Sequence, residues 1–122
     1  MANTFKMATK ASVVTDAVSS TNTNILTAGG SSTLILLSCL AANKTSSSVN
    51  LDVYVVTSSG DDVYLLKDVP VPAGPSLEVI SGSKIIMEAS DILRARANTA
   101  TSIDLTVSYL DQTLVYGINT CW

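Results

Sequence analysis

Apolar and polar residues alternate with a period of two along much of this chain. Val49, Leu51, Val53 and Val55 interleave with Asn50, Asp52 and Tyr54. Side chains two apart share one face of a strand, so the run predicts a strand with one face in a core. Ile103, Leu105, Val107 and Tyr109, set against Asp104, Thr106 and Ser108, predict a second strand of the same kind. Residues 33–42 are almost continuously apolar, and their length and β-content favour a strand buried on both faces, with a short buried helix as the alternative that periodicity leaves open. Shorter strands are expected at 24–27, 63–66, 77–80, 84–89 and 92–97. No segment keeps a 3.6-residue apolar stripe, and no internal repeat stands out.

Turn chemistry separates these runs. Ala28-Gly29-Gly30 and Ser58-Ser59-Gly60-Asp61 supply glycine where the chain must reverse, and the second predicts a hairpin between residues 49–56 and 63–66. Pro70, Pro72 and Pro75 remove backbone donors, so that stretch is a connection or a sheet edge. Seven or eight short strands at such spacing predict an all-β fold, a single antiparallel β-sandwich or jelly-roll-like domain with extended termini. Residues 1–22 are expected as an extended N-terminal arm with room for one strand, 23–110 as the sandwich, and 111–122 as an apolar tail. That tail would form an edge strand or an arm between subunits.

Composition sharpens the picture. Only 14% of residues are charged, against roughly 25% in an ordinary domain, while mean hydropathy is +0.38. Thin, mostly uncharged cover over aliphatic strands favours burial against a partner protein. The net charge of −3 and seven scattered basic residues exclude a phosphate-binding footprint, so no nucleic-acid partner is expected. No membrane-spanning run and no signal peptide are expected either. Asn43-Lys44-Thr45 matches a glycosylation sequon, without a secretory leader to give it meaning.

The absence of histidine removes Ser-His-Asp and Cys-His catalysis and the commonest metal ligand. Cys39 lies among apolar residues and Cys121 is next to the last residue; free thiols are expected, with one disulfide between them as the alternative that spacing leaves open. Asp61-Asp62 and the Glu88/Asp91 pair suit turns better than catalysis or a cation site. No catalytic residue, cofactor or metal is therefore assigned. Arg94 and Arg96 share a strand face, and the open readings are a solvated face paired with a carboxylate or a protein contact. The candidate interface residues are Phe5, Arg94, Arg96, Leu114, Tyr116 and Trp122.

The segment Val71-Pro72-Ala73-Gly74-Pro75-Ser76-Leu77-Glu78-Val79-Ile80, with Lys84-Ile85-Ile86-Met87-Glu88-Ala89-Ser90-Asp91, carries a resemblance. Together with residues 100–110 and the opening Met1-Ala2-Asn3-Thr4-Phe5-Lys6, it resembles small virion structural proteins of tailed bacteriophages, of the cyanophage and marine-phage type. Pro75 and Ser90 depart from that pattern, and the chain beyond Asp111 is longer than usual. The resemblance implies a non-enzymatic virion subunit, a capsid decoration or a head–tail (neck or tail) component, assembled in the host cytoplasm with copies of itself and other virion proteins. The alternative is a ligand- or carbohydrate-binding sandwich of a tail fibre or adhesin. One Trp and four Tyr are few aromatics for sugar stacking.

Overall fold

The computed structural model describes residues 2–15, 23–74, 76–79, 84–99 and 101–113. Nine strands form two antiparallel sheets, and the described residues contain no α-helix. In chain order they are β1 (Ala2–Lys10), β2 (Asn24–Thr27), β3 (Ser32–Asn43), β4 (Val49–Val56), β5 (Asp62–Val71), β6 (Ser76–Glu78), β7 (Ile85–Met87), β8 (Ile92–Ala97) and β9 (Ile103–Thr113). The five-stranded sheet runs β1-β9-β3-β6, with β7 also on β3; the four-stranded sheet runs β2-β8-β4-β5. The all-β sandwich expected from the alternating pattern is the architecture found.

Between the sheets lies a core in which every second residue of the long strands takes part. Leu34, Leu36, Cys39 and Ala41 of β3 meet Leu51, Val53 and Val55 of β4, Leu93, Ala95 and Ala97 of β8, and Ile103, Leu105 and Val107 of β9. The switch from even to odd core positions along β3 follows from a register shift between Leu36 and Ser38 in its pairing with β9. One extra residue turns the remainder of the strand over, as a β-bulge does. Val13, just past β1, is fully buried; its N–H donates to the Ile103 carbonyl at 2.7 Å, and the Val14 carbonyl accepts from Ala97 N–H at 3.0 Å. Those two bonds tie one end of the sandwich shut.

Several sequence expectations shift in detail. Residues 2–10 of the expected N-terminal arm form β1, paired along its whole length with β9. β9 itself runs to Thr113, so Asp111, Gln112 and Thr113 of the expected tail belong to the sheet. β5 continues through Pro70 because it is an edge strand, where a missing N–H breaks no inner ladder. Asn43 of the sequon is 2% exposed, and its Nδ2 donates to the Ser47 carbonyl at 2.7 Å and the Val71 carbonyl at 2.9 Å. Its Oδ1 accepts from the Thr45 backbone and hydroxyl, so the side chain organises the β3–β4 loop from within.

Candidate assembly interface

The two outer faces of the sandwich differ in kind. On the four-stranded sheet, the central outward residues are polar or aromatic and bonded to one another, with the apolar pair Val56 and Ile92 at one end. Asp52 of β4 lies opposite Arg96 of β8, and its Oδ2 accepts from Arg96 Nε at 3.1 Å and Nη2 at 2.8 Å. Asp52 Oδ1 accepts the Asp68 backbone N–H at 2.7 Å, and Lys67 Nζ stands 3.9 Å from Oδ2. Asp68 has φ 51, a left-handed conformation that turns its amide towards that carboxylate. Arg94 is 8% exposed, and its Nε donates to Asn24 Oδ1 at 2.6 Å. Tyr54 is fully buried; its ring lies 5.0 Å from that of Tyr64, and its hydroxyl is 3.5 Å from that of Thr23.

Beside the Asp52–Arg96 pair is an open hollow of about 270 Å³, lined by Thr15, Asn50, Asp68 and Asn98 as well as the pair itself. Its central carboxylate is already bonded to Arg96 and the Asp68 amide. Among the described residues no group of three His, Cys, Asp or Glu could hold a metal ion. Arg94 and Arg96, singled out in the sequence as interface candidates, both bond within the chain. The carboxylate pairing anticipated for that strand face is the geometry Arg96 adopts with Asp52.

The five-stranded sheet has the opposite character. Ile86 of β7 pairs with Ile35 of β3, Ile35 with Leu110 of β9, and Leu110 with Phe5 of β1. Residues directly opposite in antiparallel strands project to the same side, with Cβ atoms about 4.5–5.5 Å apart. The four side chains therefore form one apolar row across the outer face, since their neighbours Leu34, Leu36, Met87 and Tyr109 point into the core. Phe5 is 76% exposed and Ile86 61%, and Met7 (66%) and Leu40 (40%) widen the patch. The polar residues Ser38, Thr106 and Ser108 continue the face without charge.

Phe5 is thus the sequence-predicted interface residue that the structure sets on this patch. Leu114, Tyr116 and Trp122 lie outside the described residues. Ile35, Ile86, Leu110 and Met7 were not singled out. For Ile35 the signal was the nearly continuous apolar run in residues 33–42, expected to be buried on both faces, of which only one meets the core; Ile86, Leu110 and Met7 lie outside that run.

Cys39 is free and 1% exposed on the core side. Desolvation by burial, reinforced by the Glu78 carboxylate, pushes its thiol up to about 12, which leaves it unreactive at neutral pH. No family model, no curated protein and no solved structure matches this chain.

Proposed function

We propose that this protein is a non-enzymatic structural subunit that assembles by burying the outer face of its five-stranded sheet against other protein. The apolar row Ile86–Ile35–Leu110–Phe5 carries this reading. Scattered apolar side chains are normal on a soluble surface, but four in register, with Met7 beside Phe5 and Leu40 further along the same face, make a patch. The opposite face, knitted by Asp52, Arg96, Arg94 and Asn24, presents satisfied polar groups and has no comparable reason to be covered.

The chain's resemblance to small tailed-phage proteins supplies the setting: a capsid decoration or head–tail component, present in many copies on the virion. Low charge and an uncharged Ser/Thr surface suit packing in a symmetric array, where like-charged copies would repel. The reading is tested on particles. Antibodies against the intact chain, used for immunogold labelling of virions, are expected to decorate the head or the neck and tail at a repeated position. Particles that carry no label, in a lysate where the protein is present only free, would refute the virion role.

A further inference from the structure

The apolar row runs off the sheet at Phe5. Among the described residues, Phe5 is the most exposed large apolar side chain, and β1, which carries it, has no strand on its far side. Unpaired strand edges are templates for another chain. We infer that β1 pairs with β1 of a second copy, antiparallel about a two-fold axis at Phe5, joining two five-stranded sheets into one. This rests on the assembly reading above: it names the partner of the β1 edge and doubles the apolar face that further protein then covers.

Register and charge narrow the axis position, and continuity of the apolar row selects Phe5. A two-fold normal to the sheet keeps outer faces together, and opposed residues must then both point outward or both inward. The axis therefore falls on a residue, not between two. Placed at Lys6, it sets Lys6 against Lys6 of the second copy, and like charges directly opposite destabilise a pair. Placed at Phe5, it pairs residues 2–8 of each copy: Lys6 faces Thr4, Met7 faces Asn3, and Lys10 falls beyond the pairing. Phe5 then meets Phe5, and the two rows become one of eight side chains, four from each copy.

Edge lysines commonly guard against such pairing. Here Lys6 Nζ is 3.1 Å from Asp111 Oδ2, drawn back across β9 by the ion pair. One strand pair supplies less than the ~800 Å² per partner of a standard interface. The dimer is accordingly weak in isolation and gains from neighbours in an array.

Cysteine cross-linking of the intact chain tests the pairing. In a Cys121→Ser background Cys39 is buried and unreactive, so an introduced cysteine is the one thiol open to mild oxidation. Phe5→Cys is expected to give a disulfide-linked dimer. Met7→Cys alone is expected to link at least tenfold less, because its copies lie ~13 Å apart along the strands. A mixture of Asn3→Cys and Met7→Cys chains, which keeps Phe5 intact, is expected to form the heterodimer. Failure of both Phe5→Cys and the mixture overturns the pairing, as does Met7→Cys linking to itself as strongly as Phe5→Cys. If the wild-type chain associates but links only through Ile86→Cys, the β1 pairing is wrong and the assembly reading stands. If it neither associates nor links, both are wrong.

Discussion

Replacing Asp52 with alanine is expected to destabilise the fold by ~3 kcal/mol. Its side chain is 6% exposed and accepts two Arg96 N–H groups and the Asp68 amide. Removing one partner of a buried pair costs roughly 3–5 kcal/mol, because the other charge is left uncompensated. Arg96 is 26% exposed and recovers some hydration, which places the loss near the lower end. Asp52→Asn keeps the volume and an acceptor for the Asp68 amide. It weakens only the charge-assisted bonds, for about 1–2 kcal/mol. Urea unfolding followed by circular dichroism reads both variants. With m of roughly 1–3 kcal/mol/M, the alanine variant lowers the midpoint by at least ~1 M at unchanged m. A loss below ~1 kcal/mol, or equal losses for the two variants, would refute the account of this network. So would a loss that grows with protein concentration, because a group contacting a partner makes stability depend on concentration and an internal pair does not.

Asn43→Ala is expected to cost about 2–3 kcal/mol by the same assay, since it strands the buried Val71 carbonyl that its amide now satisfies and removes the bonds to Ser47 and Thr45 that hold the β3–β4 loop. Cys39 gives a pH signature. Its thiol is raised from 9.0 to about 12 in the folded chain, so the associated stability is present below pH 9 and declines as pH rises towards 12. Chemical denaturation from pH 8 to 11 should therefore show a shallower alkaline loss for Cys39→Ala than for the wild type, although the variant starts lower. Truncation distinguishes the end of β9 from the residues beyond it. Deleting 111–122 removes the Lys6–Asp111 pair and three paired positions of β9, and is expected to lower the melting temperature more than deleting 114–122 does.

Period-two alternation made the inner faces of β4 and β9 readable, because each position has one of two fates in a sandwich. The hairpin at Ser58–Asp61 was equally legible from its turn residues. Residues 2–10 were harder. Thr4, Phe5, Lys6, Met7 and Thr9 read as a polar arm with stray apolar residues, and what makes them a strand is β9, about a hundred positions away. Non-local pairing of that kind leaves no local signal. The bulge near Ser38 was hidden as well, since a continuous apolar run carries no phase to reveal where its faces exchange. For the same reason the row Ile86–Ile35–Leu110–Phe5 exists only once four strands are in register. Arg94 and Arg96 were visible as a pair on one face, but their partners Asn24 and Asp52 come from different strands.

Sedimentation velocity over a wide concentration range, comparing the wild type with a Phe5→Lys/Ile86→Lys double variant, addresses the outer sheet face most directly. Both positions are exposed, so the variant should keep the wild-type circular dichroism spectrum and melting temperature. The wild type is predicted to associate reversibly as concentration rises, while the double variant stays at the 12.7 kDa of one chain. A wild type that remains a single chain throughout, or a double variant that associates equally well, would contradict burial of this face against protein.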